Sequence, residues 1–400
     1  MQLPRHGAFL RRSQVAFVPI CSAFALALVP ARSARAADMD ITPERLYVQP
    51  PTLPGGAAAA GWDCQAIARN LSGANAANPP TLPTPLFPAN ASPNNYPCLP
   101  NNVAWANLMS ELGMAIAPPA FHPARTTGYG GFALSAEATF TSINADATAG
   151  GVQYWHQGTR GPVDPTTGRF SVTNNKPDSV LQVYSLKARK GLPFGFEVTG
   201  VLGTVANTSM WVGGADLHWA LLEGYRTGLP GVLPDVAIGG GVRTLTGQST
   251  FYLTTVGIDG QVSKPFVLGG SAVLTPYLGA QRVIIFADSA AVDLTPGVDA
   301  YQQCGWKGSN PDGTAHCTNS YTNALGGQSA NSGDFNNTSA FSKARIHRWR
   351  GLAGASYRYE VLSLAGQFAM DLVEPSAENA NLGITGSRQW TVSLEAGISF

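Results

Sequence analysis

The sequence predicts an all-β fold, an antiparallel transmembrane β-barrel of about ten strands preceded by a short, partly helical, Pro-rich extension. Three observations carry that expectation. The first residues resemble an export signal, apolar residues alternate with polar or small ones from Gly130 onward, and the long connections between those segments recur with one parity.

The export signal comes first in the chain. Arg5, Arg11 and Arg12 precede the apolar run Val15 to Val29, which ends at the small-residue site Ala34-Arg35-Ala36. The run is shorter than the roughly 20 residues that a spanning helix needs, so residues 1–36 read as a cleaved secretory signal and the mature chain begins near Ala37. Val18-Pro19-Ile20 before Cys21 is not the small-residue box of a lipoprotein, and lipidation is not expected.

Four cysteines remain beyond the signal, Cys64 and Cys98 in one stretch and Cys304 and Cys317 in another. An even number in an exported chain points to two disulfides in an oxidising compartment; four cysteines allow three connectivities, of which the sequence-local one is preferred. No Cys-x-x-Cys occurs, against a thiol oxidoreductase or a zinc ribbon.

Composition excludes further classes. Only 12 % of the 400 residues are charged, the net charge is +1, glycine is abundant, and no later apolar run approaches helix-spanning length. This rules out a helical membrane protein and a nucleic-acid binder that relies on a basic surface. A barrel fits, because its strands need about 10 residues each and only alternate positions must be apolar.

Residues 37–129 are rich in Pro, Ala and Asn. They carry two short helical patterns, Trp62 to Leu71 and Val103 to Ile116, the second stopped by Pro118 and Pro119. The expectation is a periplasmic extension pinned by one disulfide; the alternative is a largely disordered lead-in.

Residues 130–400 carry ten alternating segments. The last is the clearest: Trp390, Val392, Leu394, Ala396, Ile398 and Phe400 share one face, and Gln389, Thr391, Ser393, Glu395, Gly397 and Ser399 share the other. The first, Phe132 to Ile143, turns Phe132, Leu134 and Phe140 outward and Glu137 inward. The second, Val180 to Arg189, places Tyr184 and Leu186 towards lipid and Lys187 and Arg189 towards the lumen. In the third, Phe194, Phe196, Val198 and Leu202 oppose Glu197 and Thr199. In the fourth, Trp211, Leu217, Trp219 and Leu221 oppose Asp216 and His218. The fifth sets Val236, Ile238 and Val242 against Arg243, and the sixth sets Tyr252, Val256, Ile258 and Val262 against Asp259 and Gln261. The seventh, Val273 to Phe286, is ambiguous in phase, because Gln281 and Arg282 are adjacent and cannot both point inward. In the eighth, Trp349, Ala353, Ala355, Tyr357 and Tyr359 oppose Arg348, Arg350 and Arg358. In the ninth, Leu362, Leu364, Phe368, Met370 and Leu372 oppose Gln367 and Asp371.

Outer-membrane barrels have short periplasmic turns and longer external loops. If the first strand rises from the periplasm, connections 144–179, 287–344 and 374–388 all fall outside, while Lys190 to Pro193, Glu223 to Pro234, Lys264 to Ser271 and the turn near Glu360 fall inside. A hairpin of Val152 to Trp155 with Arg169 to Thr173 would raise the count to twelve if it reached the membrane.

On the signal, the alternating strands and the terminal pattern, residues 130–400 resemble bacterial outer-membrane β-barrel proteins. The resemblance implies a Gram-negative outer-membrane location, contact with membrane lipid, and recognition of Trp390, Val392, Leu394, Ile398 and Phe400 by the barrel-assembly machinery. The tract from Ala215 to Gly247 is similar in style to barrels of unknown function, so no functional residue carries over.

The candidate lumen residues are nearly charge-balanced: Lys187, Arg189, Arg243, Arg348, Arg350 and Arg358 against Glu137, Glu197, Asp216, Asp259, Asp371 and Glu395, with His218 beside them. Such charges either pair into a network that fills the barrel or line a porin-like eyelet that selects small solutes. Ten strands favour a filled or very narrow lumen. His347 and Asp288 at the external rim form no matched catalytic set, and neither Ser209 nor Ser271 has a His nearby in sequence. The Gly239-Gly240-Gly241 run lacks the Lys and Ser/Thr of a phosphate loop. No cofactor, metal or nucleic-acid partner is expected. Three functions stay open: first a narrow channel for small solutes, second a closed structural or surface-interaction (adhesin-like) barrel, and third an enzyme.

Overall fold

The computed structural model describes residues 38–48, 99–161, 174–224, 233–269, 271–294 and 338–400. Ten antiparallel strands form the barrel: β1 (Phe132–Ser142), β2 (Val180–Gly191), β3 (Phe196–Val205), β4 (Trp211–Leu222), β5 (Asp235–Thr246), β6 (Phe251–Ser263), β7 (Ala272–Ser289), β8 (Ala344–Tyr359), β9 (Leu362–Asp371) and β10 (Trp390–Ser399). Each pairs with its sequence neighbour, and β10 closes on β1 with Leu394 opposite Ala138 and Ser399 opposite Ala133. The short segment Phe266–Leu268 only folds back on the foot of β7.

Closure leaves no free edge, and the pleat sends alternate residues to opposite faces. On β1, Ala133, Ser135, Glu137, Thr139 and Thr141 are buried inside while Leu134 is exposed outside. The outward positions include Leu186, Leu202, Leu217, Trp219, Ile258, Leu278, Leu364, Phe368 and Leu394, all exposed to the surroundings of the barrel. A closed antiparallel barrel with an apolar outer face satisfies its backbone within the sheet and meets lipid with hydrocarbon. The protein is therefore an outer-membrane β-barrel. By loop length, the end of the barrel near Ser142 and Ser289 is external, and the end bearing Phe132 and Phe400 is periplasmic.

The count of ten is as expected, and the twelve-strand alternative is not met: among the described residues Val152–Gln153 pairs only with Thr148–Ala149, and a short helix, Tyr154–Gly158, follows it. Arg169 to Thr173 lies outside the described residues. Other expectations need correction. The third strand begins at Phe196, because Phe194 sits in the preceding turn with φ +62°. The phase of β7 is settled by burial, with Gln281 inside and Arg282 outside.

The largest correction concerns the extension. Helix α1 (Asn102–Ile116) is not periplasmic; it stands within the barrel, and every residue from Ala104 to Ile116 is buried. The reason is twofold. A helix that is apolar nearly all round needs cover on all sides, and the outer half of the lumen supplies it through the inward side chains of Leu181, Val205, Val212, Leu245, Phe251, Leu253, Val283, Ile285 and Ile346. Trp105 stacks on Phe341 at 5.0 Å and meets Phe251 edge-on at 5.9 Å. Asn101 caps α1 by accepting from the Ala104 N–H at 3.1 Å, a cap worth about 1 kcal/mol. Pro118 and Pro119 end it as the sequence predicts. Residues 1–37 and the Trp62 to Leu71 helix lie outside the described residues.

Candidate functional site in the barrel lumen

The chain runs down the lumen in one direction. At the external mouth Met39 N–H donates to the Asn207 carbonyl at 3.0 Å, and Ser209 N–H donates to Asp40 Oδ1 at 2.7 Å. Tyr47–Val48 pairs with Leu99–Pro100, so both ends of the stretch 49–98 are held at this mouth. From there α1 descends to mid-barrel. Residues 117–131 continue as an extended strap to the periplasmic foot of β1, where Gly131 and Gly191 meet through the Gly191 N–H.

The helix is fastened to the external connections by polar contacts. Glu111 accepts from Tyr154 Oη at 2.6 Å, Trp155 Nε1 at 2.8 Å and the Asn144 N–H at 3.0 Å. Asn107 Oδ1 accepts from the N–H groups of Thr385 and Gly386 at 2.9 and 3.1 Å. A buried carboxylate with three donors is a satisfied anchor.

The strap is held by the wall. Prolines have no N–H, so Pro118-Pro119 presents carbonyls only, and buried acceptors need donors. Gln281 Nε2 donates to the Pro118 carbonyl at 3.1 Å, joined by Arg350. Gln367 donates to the Pro119 carbonyl at 2.6 Å, and Gln261 to the Ala120 carbonyl at 3.0 Å. Ala120 takes φ +51°, where a non-glycine residue is strained, and these contacts hold it there. Lower down, Ser263 Oγ accepts from the Ala124 N–H at 3.1 Å, Glu223 accepts from Thr126 N–H at 3.0 Å, and Glu197 accepts from Thr127 N–H at 2.7 Å.

All thirteen lumen candidates lie on inward positions of their strands. Lys187 pairs with Glu137 and, at 3.3 Å, with Glu395, which also pairs with Arg189. Arg243 forms a bidentate pair with Asp216 at 2.6 and 2.7 Å. Arg348 pairs with Asp371 and donates to Ser110 on α1 at 2.9 Å. Asp259 accepts from Gln261 at 2.9 Å. His218 does not engage Asp216; its ring meets His122 of the strap at 4.0 Å, and its Nε2 lies 3.2 Å from the Ala124 carbonyl. Arg358 stands apart at the periplasmic mouth. There a cavity of about 350 Å³ remains, with Phe121, Arg189, Val273 and Arg358 among its walls.

The rim candidates are not brought together. Asp288 pairs with Lys343 at 2.7 Å, and His347 turns to the outer face of β8. Cys64, Cys98, Cys304 and Cys317 lie outside the described residues. Trp390, Val392, Leu394, Ile398 and Phe400 occupy the outward face of the closing strand, whose last N–H donates to the Phe132 carbonyl at 2.8 Å. Sequence reasoning missed Ser110, Glu111 and the Pro118-Pro119 carbonyls, and left the face of Gln281 open. The available signal was the set of inward apolar residues in the outer halves of the strands, which a watery lumen does not explain.

No protein-family model matches the chain, and no curated protein matches it. Among solved structures it is similar to the attachment invasion locus protein Ail of Yersinia pestis, at 10 % identity over 68 % of this chain and 99 % of that one, with a TM-score of 0.23. It is similar to Neisserial surface protein A at 12 % identity over 68 % and 97 % of the two chains, TM-score 0.22. An outer membrane channel from Pseudomonas putida F1 aligns at 11 % identity over 71 % and 100 %, TM-score 0.26.

Proposed function

We propose that this outer-membrane barrel is a closed structural or surface-interaction protein, whose lumen is sealed by its own N-terminal segment. One observation carries the reading. Helix α1 and the strap occupy the lumen and are bonded to β6, β7, β8 and β9 through Gln261, Gln281, Arg348, Arg350 and Gln367. A ten-stranded barrel has little interior to spare, and a helix of about 10 Å diameter with its side chains fills it. The Tyr47–Val48 and Leu99–Pro100 pair and the connection residues that hold Glu111 and Asn107 then stand at the external mouth, where a partner would meet them.

The solute-channel reading has its own support in the periplasmic cavity and in Arg358 on its wall, and it requires the strap to leave its seat. Planar-bilayer recording separates the two. The intact protein should give no conductance steps, and a variant lacking residues 102–127 should give them. Steady steps from the intact protein would overturn the closed reading in favour of the channel.

A further inference from the structure

Apart from tyrosines, the outward face of the ten strands carries five ionisable side chains among apolar, hydroxyl and amide residues. Lys190 sits at the periplasmic foot, where it donates to the Gly130 carbonyl at 2.8 Å, and Asp288 at the external top is paired with Lys343. The other three, Arg282, Arg345 and His347, lie together on β7 and β8.

Their placement follows from the register. Three successive outward pairs face each other across these strands: Arg282 with Trp349, Ile284 with His347, and Phe286 with Arg345. Each guanidinium lies over the ring opposite it, Arg282 at 5.2 Å from the Trp349 centroid and Arg345 at 5.5 Å from that of Phe286. Both arginines are exposed, and among the described residues neither has a carboxylate at ion-pair distance.

Depth decides what these cations meet. From Tyr359 to Trp349 the outward positions of β8 are Tyr357, Ala355, Ala353 and Gly351, with no charge. Ten residues at about 3.3 Å each, tilted about 40°, rise roughly 25 Å, the height of the apolar band of such a barrel. Trp349 therefore marks the outer edge of the hydrocarbon. Arg282, opposite Trp349, lies at that edge, and His347 and Arg345 stand above it, at the level of the outer-leaflet headgroups.

We propose that Arg282, Arg345 and His347 form a docking site for the phosphorylated headgroup of an outer-leaflet lipid. The arginines bind the phosphate oxygens, and Trp349 and Phe286, opposite them in the register, support the guanidinium planes. Cations facing hydrocarbon are costly, whereas at this depth charge complementarity with a phosphate turns the same groups into an anchor. The site also fixes the rotational position of β7 and β8, the two longest strands, against the membrane.

The test is native mass spectrometry of the full chain in detergent, titrated with bisphosphorylated lipid A or with the same lipid after dephosphorylation. Retention of the phosphorylated lipid should fall about 30-fold in Arg282→Gln/Arg345→Gln, roughly fivefold per arginine. It should be unchanged in Lys190→Gln. Folding of each variant is checked by the heat-dependent shift of the barrel in gel electrophoresis. A misfolded double variant is replaced by Arg282→Lys/Arg345→Lys, which keeps the charge but loses the fork, and should then weaken retention severalfold. Equal retention of the dephosphorylated lipid, equal retention by the folded Gln variant (or, where that variant misfolds, by the Lys variant), or full competition by inorganic phosphate at the lipid's own concentration would each overturn the proposal.

Discussion

Arg348 donates to Ser110 Oγ at 2.9 Å while it pairs with Asp371, so a single buried guanidinium ties the lumen helix to two barrel strands. Arg348 and Asp371 are 2 % and 0 % exposed. Removing one partner strands the other. Arg348→Ala should destabilise the barrel by about 3–5 kcal/mol, because an uncompensated buried carboxylate remains. Replacing both, as Arg348→Met/Asp371→Leu, should recover most of that loss. The midpoint of thermal unfolding in detergent measures both outcomes, and a double variant no better than the single would refute the account.

Ser110→Ala removes only the link to the helix. The expected cost is about 1 kcal/mol, with the barrel itself intact. Its sharper readout is local: hydrogen exchange of α1 amides should accelerate while amides of β8 and β9 keep their protection. Uniform acceleration would show that helix and wall open together.

Gly113 presses on the wall at a point where a side chain has no room, since a Cβ there would overlap Ile285 Cγ2. Gly113→Val should cost about 1–3 kcal/mol through overpacking. Ile285→Ala opens space opposite it, so the two substitutions together should be less harmful than their sum. A purely additive pair, measured by the same unfolding midpoints, would place the helix elsewhere.

The barrel was legible in the sequence because its signal is local. Alternation at period 2 assigns faces without knowledge of neighbours, and the terminal strand from Trp390 to Phe400 carries it without interruption. Glu137, Lys187, Arg243 and Arg348 could be placed inward for the same reason. What those residues face could not be read in that way. Whether Arg348 meets water or Ser110 depends on a segment 238 positions away in the chain, and no period encodes that distance. One local anomaly did point to it. Val283-Ile284-Ile285-Phe286 is apolar on both faces, and Leu253 and Leu245 are apolar on the inner one. In a barrel whose outer face already meets lipid, an apolar inner face implies a second apolar body inside. Gln281, Gln367 and Gln261 gave no such sign, because a glutamine facing carbonyls reads the same in sequence as one facing water.

The threading of the chain makes a topological prediction that is independent of stability. Leu99 is 41 % exposed beside the external mouth, and Tyr129 is 83 % exposed at the periplasmic one, although only the lumen segment separates them. In a background with the native cysteines replaced by serine, Leu99→Cys should react with a membrane-impermeant maleimide on intact cells. Tyr129→Cys should react only after the outer membrane is breached. A periplasmic extension, as composition alone suggested, would shield both positions. Labelling of Tyr129→Cys on intact cells would invert the barrel and with it the assignment of the long connections to the external side. The position of Leu99 thus decides between a lumen segment that begins outside and one that enters from below. The Asn101 side chain, which donates to the Gly150 carbonyl of an external connection at 2.9 Å, predicts the former.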